Sequence, residues 1–258
     1  MPWDPERYEQ FKKERYAPFD DLARLVRVRD GLRAIDLGCG TGELTRRLAD
    51  ALPGSDVLGI DSSAEMLERA AEFARPGLRF EQGAIENVRG EWDLIFSNAA
   101  LQWAGDHASL IPRLFSLLRP GGQLVVQVPS NFDHPTHRLI DELAAQEPFR
   151  SGLDGWGLDW SRSRPVLSLE QYAELLYAAG ASDIVVFEKA YPHVLPDADA
   201  LADWMSGTAL VPYMERLPEE LRAPFMERYR ARLREIFPQR PVFYGFRRIL
   251  FSGTKPVS

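Results

Sequence analysis

Two carboxylates and three glycines crowd one short stretch, R-A-I-D-L-G-C-G-T-G-E over residues 33–43. Gly38, Gly40 and Gly42 lack Cβ atoms, so a ligand can come close to the backbone and a positive φ costs little. Free N–H groups at the start of the helix that follows could meet that ligand. In the dinucleotide fingerprint G-x-G-x-x-G the third glycine falls where this chain has Glu43. A carboxylate there would repel a pyrophosphate at a helix N-terminus and suits a positively charged cofactor. Asp36 adds a second carboxylate, able to hold an ammonium group. The spacing D-x-G-x-G-x-G therefore favours S-adenosylmethionine, which carries a sulfonium and an amino group. Asp61 ends the apolar run V-L-G-I, where an acid can accept both hydroxyls of a ribose. Cys39, the only cysteine, excludes an intrachain disulfide and reads as a small packing residue rather than a nucleophile.

These residues need a frame that brings strand ends together. Short apolar runs at 33–37, 56–60, 78–82, 93–98, 123–128, 183–191 and 243–251 alternate over most of the chain with helical patterns. The helical patterns include 43–52, 107–118, 135–146 and 168–179. Such alternation predicts an α/β fold with a doubly wound, mostly parallel seven-stranded sheet. Ligands of such sheets sit beyond the carboxyl ends of the strands. Residues 4–29 read as an N-terminal helical cover with a break near Pro18. Tyr8 and Arg15, seven residues apart, share its face and could reach the cofactor's carboxylate. Residues 31–130 form the cofactor-binding core of a single domain. A glycine-rich loop at 150–166 that holds Trp156 and Trp160 reads as a lid. An insertion at 196–240, with a short helix around Trp204 and a longer one over Leu221–Ile236, reads as a helical cap over the acceptor site.

The 258 residues carry a net charge of −7 with no basic run, which argues against a general nucleic-acid footprint. No apolar stretch reaches the length of a membrane span. The N-terminus lacks a signal-peptide pattern, so the cytoplasm is the expected location. No His, Cys and acid cluster has metal-ligand spacing. The oligomeric state is not legible.

The ordered motifs D-L-G-C-G-T-G, G-I-D-S-S, S-N-A-A-L-Q-W and L-R-P-G-G resemble those of class I S-adenosylmethionine-dependent methyltransferases, which have a Rossmann-like fold. A narrower resemblance runs through W-D-P-E-R-Y, F-S-N-A-A-L-Q-W, N-F-D-H-P-T-H, the D-W and G-T of 203–208, and F-R-R-I-L. It points to the trans-aconitate 2-methyltransferase family, which methylates one carboxyl of a small tricarboxylic acid. The resemblance implies that Asp36, Gly38, Cys39 and Gly40 line the methionine moiety and that Asp61 holds the ribose. It places Ser62 and Met66 beside the adenosine, Ala84 and Ile85 at the adenine edge, and Asn98 beneath the sulfonium. Trp103 would wall the transfer site, and Arg248 matches the family's terminal arginine. S-adenosylhomocysteine would be the product.

A carboxylate acceptor is already ionised at neutral pH, so in-line transfer requires orienting groups rather than a general base. Arg248, His193 and Tyr213 are the candidates for orienting a small-molecule acid, with Trp103 as a wall. A methyltransferase acting on another small metabolite or a carrier-bound malonyl group is an alternative. A non-catalytic S-adenosylmethionine-binding protein is another.

Overall fold

The computed structural model describes residues 12–156 and 166–257, with side chains from Tyr16 onward in the first stretch. Tyr8, the side chain of Arg15, and Trp160 lie outside the described residues. In chain order the elements are α1 (Lys12–Ala23), β1 (Arg33–Leu37), α2 (Glu43–Asp50), β2 (Asp56–Asp61), α3 (Ala64–Ala70), β3 (Leu78–Gln82), β4 (Trp92–Asn98), α4 (His107–Ser116), β5 (Leu118–Pro129), α5 (Pro135–Ala144), α6 (Phe149–Gly152), α7 (Leu169–Ala178), β6 (Ser182–Leu195), α8 (Ala198–Ser206), α9 (Val211–Arg216), α10 (Glu219–Ile236) and β7 (Val242–Thr254).

The strands form one seven-stranded sheet in the order β3-β2-β1-β4-β5-β7-β6. The ladders from β3 through β5 are parallel, and β7 runs antiparallel to β5. Chain order reverses between β1 and β4, the switch point at which doubly wound sheets open a crevice. Ladder pairing between these strands stops at Asp36 and Phe96. Beyond it the Ser97 hydroxyl donates to the Leu37 carbonyl at 2.9 Å, satisfying a group that the parting strands leave behind.

The described residues divide into two compact units, one holding 16–129, 166–189 and 248–257, the other 12–15, 130–156 and 190–247. In the first, both faces of the central strands β1, β2, β4 and β5 are buried, so these read as apolar runs, while β3 and β6 at the sheet edges are largely exposed. Ile35, Leu37, Ile95 and Val126 face Leu114 and Phe115 of α4 and Tyr172 and Leu176 of α7. Ala34, Val57, Leu94, Phe96, Val125 and Leu250 face Phe19 and Leu22 of α1 and Leu48 of α2. The second unit has its own core, in which Phe225, Tyr229 and Leu233 of α10 join Leu139, Leu143, Phe149, Trp204 and Tyr244.

Several elements differ from the sequence reading. Helix α1 continues through Pro18 rather than breaking there. Phe19 and Leu22 are buried against the sheet, with Phe19 edge-on to Phe96 at 5.8 Å, and that packing outweighs the lost backbone bond. Strands β5, β6 and β7 run longer than their apolar cores suggest, β6 reaching Leu195. The insertion holds three helices, not two. The unexpected α9, V-P-Y-M-E-R, is too short to show a periodic stripe. Residues 150–152 of the expected lid loop belong to the short helix α6, Phe149–Gly152. Trp156 meets the edge of Tyr213 at 5.2 Å, and the Arg216 guanidinium lies 3.9 Å above its ring. Residues 157–165 are outside the described residues.

Candidate functional site

Register places the polar residues at the sheet's carboxyl end on one face. Asp36 pairs with Gly59 of β2 and Phe96 of β4, Asn98 with Gln127, and Gln127 with Leu250 of β7. Side chains alternate along a strand. Asp61, two residues beyond Gly59, and Asn98, two beyond Phe96, therefore share the face of Asp36. Gln127, and Arg248 two residues before Leu250, share it too. Read across β2, β1, β4, β5 and β7, the row is Asp61, Asp36, Asn98, Gln127 and Arg248. It runs from two acids through two amides to a guanidinium, all within the first unit.

The glycine loop at the acidic end is held by its own backbone. Gly38 and Cys39 N–H donate to the Ile60 carbonyl at 2.8 and 2.9 Å, and Gly42 N–H to the Cys39 carbonyl at 3.1 Å. Gly40 N–H donates to Asp61 Oδ2 at 2.9 Å. These amides are committed within the protein, so the turn itself offers a ligand few backbone donors, and the expectation of free N–H groups concerns the helix start that follows. A Cβ on Gly38 would stand 2.2 Å from Ala100 Cβ, whereas one on Gly40 would meet nothing within 4 Å. Close ligand approach is thus a property of Gly40, while Gly38 lets the loops after β1 and β4 pack together. Glu43, at the helix start, accepts a hydrogen bond from the Tyr16 hydroxyl.

Asp61 also accepts from Ser63 N–H through Oδ1 at 2.9 Å. Each carboxylate oxygen keeps a second lone pair, so the residue can still accept from a ligand. Asp36 is buried and accepts from Thr45 Oγ1 at 2.6 Å. Burial pushes its pKa up to about 7, the Thr45 hydrogen bond opposes the rise, and the Asp61 charge adds to it. Burial, then the Asp36 and Asp61 charges, push the Cys39 thiol up, which agrees with an inert packing role. Among the described residues neither acid is paired with a cation, an arrangement suited to a positively charged ligand.

The turn after β4 is fixed from several sides. Ala99 has φ 55°, an unusual conformation for a residue with a Cβ. Its N–H donates to the Gln127 carbonyl at 3.0 Å, and its carbonyl accepts from Gln102 Nε2 at 2.7 Å. Buried His107 holds the Leu101 carbonyl through Nε2 at 2.8 Å and contacts the Tyr172 hydroxyl through Nδ1 at 2.6 Å. A carbonyl only accepts, so Nε2 carries the proton, and burial lowers the pKa of the ring. Trp103, at the end of this turn, is 52% exposed. Asn98 Oδ1, by contrast, is buried with no hydrogen-bond partner, and so is Gln127 Nε2. Buried polar atoms rarely go unpaired, and two on adjacent strands of one face point to a ligand.

Ala84 and Ile85 begin a short turn gripped by Arg113, whose guanidinium donates to the Ile85 and Val88 carbonyls at 2.9 Å each. The Ile85 side chain comes near the glycine loop, 3.9 Å from where a Gly38 Cβ would sit. Ser62 is exposed, its carbonyl accepting from Gln82 Nε2 at 3.0 Å, and Met66 lies in the first turn of α3, capped by Ser63. Arg248, buried, donates through Nη1 to Gln127 Oε1 at 3.0 Å.

Asp36, Gly38, Cys39, Gly40, Asp61, Ser62, Met66, Ala84, Ile85, Asn98, Trp103 and Arg248 all lie in the first unit. His193 and Tyr213 belong to the other. There His193 lies 4.9 Å from the Trp204 ring, and the Tyr213 hydroxyl donates to Asp141 Oδ1 at 2.9 Å. Sequence reasoning missed Gln127, Gln102 and His107. Only Gln127 left a trace, as an amide inside the apolar run L-V-V-Q-V. Among the described residues no group of His, Cys, Asp and Glu is placed to hold a metal ion. None of the described helices is long and apolar enough to cross a membrane.

A family model described as a methyltransferase domain matches residues 28–160. The chain is 49% identical over 257 residues to the trans-aconitate 2-methyltransferase of Deinococcus radiodurans, covering 99% of each chain. It is 39% identical over 243 residues to that of Variovorax paradoxus, covering 93% of this chain and 92% of the other. Among solved structures it is similar to the YcgJ protein of Bacillus subtilis, with a TM-score of 0.60 at 17% identity over 93% of this chain and 99% of the other. It is also similar to phosphoethanolamine N-methyltransferase 2 of Haemonchus contortus in complex with S-adenosyl-L-methionine. That match has a TM-score of 0.55 at 18% identity over 93% of this chain and 52% of the other. At these identities the two structures speak to the fold alone.

Proposed function

The chain belongs to the trans-aconitate 2-methyltransferase family of S-adenosylmethionine-dependent enzymes, and from that footing we propose that it methylates one carboxylate of a small, trans-aconitate-like acid. One observation carries this reading: the row Asp61, Asp36, Asn98, Gln127, Arg248 changes from anionic to cationic along one face of the sheet's carboxyl end. A cationic cofactor suits the first half and an anionic acceptor the second.

The residues present fit S-adenosylmethionine. Asp36 matches its positive charge, Asp61 has lone pairs left to accept from its ribose, Asn98 Oδ1 is a buried acceptor in want of a partner, and Gly40 leaves the backbone approachable. When bound, the cofactor supplies an electrophilic methyl group: an O–CH3 bond forms to the carboxylate, the S–CH3 bond breaks with its electron pair kept on sulfur, and S-adenosylhomocysteine remains. Asp61 holds the ribose hydroxyls. Asp36, Gly38, Cys39 and Gly40 line the methionine moiety. Ser62, Met66, Ala84 and Ile85 border the adenosine, and Trp103 walls the transfer site. Arg248 orients the acceptor. No residue need remove a proton, because a carboxylic acid of pKa about 4 is ionised at neutral pH. The chain's contribution is positioning and the matching of charge.

Replacing Arg248 tests the assignment. Arg248→Met is expected to raise the acceptor KM by about 10- to 100-fold, the range for loss of a charged hydrogen bond, with the Kd for S-adenosylhomocysteine within about twofold of wild type. An unchanged acceptor KM would remove Arg248 from the acceptor site.

A further inference from the structure

Gln127 is fully buried on a strand whose neighbours Val125, Val126 and Val128 are buried apolar residues. An amide in such a place costs free energy unless both its ends are used. One end is used. Arg248 Nη1 donates to Gln127 Oε1 at 3.0 Å. A guanidinium has only donors, so a flipped amide would set an NH2 group against N–H, and this contact fixes which way the side chain lies. The other end, Nε2, has no hydrogen-bond partner. Its register partner on the next strand, Asn98, has an unpartnered Oδ1. An acceptor and a donor on paired residues of one face therefore do not bond to each other, and each is left for something outside the protein.

Resting on the carboxylate-methylation reading above, we propose that Gln127 is an acceptor-binding residue, its Nε2 donating to the carboxylate that receives the methyl group. The order along the row supports this. Asn98 offers an acceptor on the side of the acids, and Gln127 a donor on the side of the arginine. A carboxylate accepts from both Gln127 Nε2 and a guanidinium, whereas a methyl ester has lost the charge that strengthens such bonds. The pair thus favours an ionised acceptor over its own esterified product and over neutral acceptors of similar shape. A residue that served only to brace Arg248 would have no need of a buried, unused N–H2 group.

The test is equilibrium binding of trans-aconitate to the full-length protein saturated with S-adenosylhomocysteine, read by calorimetry in wild type, Gln127→Met and Gln127→Glu. For Gln127→Met the acceptor Kd should rise about tenfold or more, as for a lost hydrogen bond to a charged group, while the S-adenosylhomocysteine Kd stays within about twofold. Gln127→Glu, which keeps a partner for Arg248 but faces the acceptor with negative charge, should weaken acceptor binding further. Steady-state rates should show the same split, with the acceptor KM raised and the cofactor KM unmoved. An acceptor Kd equal to wild type in either variant that still binds S-adenosylhomocysteine would overturn the proposal, as would loss of S-adenosylhomocysteine binding in both, which would mark a structural residue. A wild-type protein that neither binds nor methylates any carboxylic acid would instead overturn the functional reading on which the proposal rests.

Discussion

Asp36 sits where a carboxylate is least comfortable, buried, and beside a second acid. With its pKa pushed up to about 7, it is partly protonated at neutral pH until a cation arrives. A cationic ligand stabilises the ionised form, lowers that pKa, and so releases a proton on binding. S-adenosylmethionine affinity is therefore expected to fall as pH drops below about 7, by up to about tenfold per pH unit at the limit. Calorimetry in buffers of different ionisation heat should show proton release, and Asp36→Asn should abolish both effects. Affinity that is flat between pH 6 and 8 would count against Asp36 as a cation partner. Both acids were legible in the sequence, Asp36 by its local spacing from the glycines and Asp61 as the acid that closes the apolar run V-L-G-I. Gln127 was not, because its meaning depends on the register with Asn98 and on Arg248, a neighbour 121 residues away in the chain.

The elements around the site divide the work of the glycine loop. Gly38, at φ 74°, has Ala100 where its own Cβ would be, while Gly40, at φ 55°, faces open space. Gly38→Ala should lower unfolding free energy by about 2–4 kcal/mol through clash and backbone strain together. Gly40→Ala should cost only the strain, about 1–2 kcal/mol, yet weaken S-adenosylhomocysteine binding strongly. Denaturant unfolding and calorimetry on the two variants measure the pair, and a Gly40→Ala protein less stable than Gly38→Ala would contradict the division. The strand–turn–helix was readable from composition. That its N–H groups are already bonded to Ile60 and Asp61 was not, because those bonds come from a neighbouring strand. In α1 the local signal of Pro18 was overridden by burial of Phe19 and Leu22. In α9 the signal was too brief to read.

Over the whole molecule, a net charge of −7 does not itself attract an anionic substrate. The row across the sheet resolves this, since Arg248 and Gln127 lie at the far end from the acids. Alternation of strands and helices was enough to predict the doubly wound seven-stranded sheet, because each βα repeat must bury both sheet faces. The division into two compact units was not foreseen in those terms, for β6 and β7 each contribute residues to both. The measurement that bears most directly on carboxylate methylation is methyl transfer from labelled S-adenosylmethionine. The acceptor panel comprises trans-aconitate, cis-aconitate, isocitrate, simple dicarboxylates, fatty acids and phenols. Base-labile label on trans-aconitate or a close tricarboxylate, as expected of a methyl ester, is the predicted result. Base-stable label on a phenol, or no label on any acid while the cofactor is bound, would contradict it.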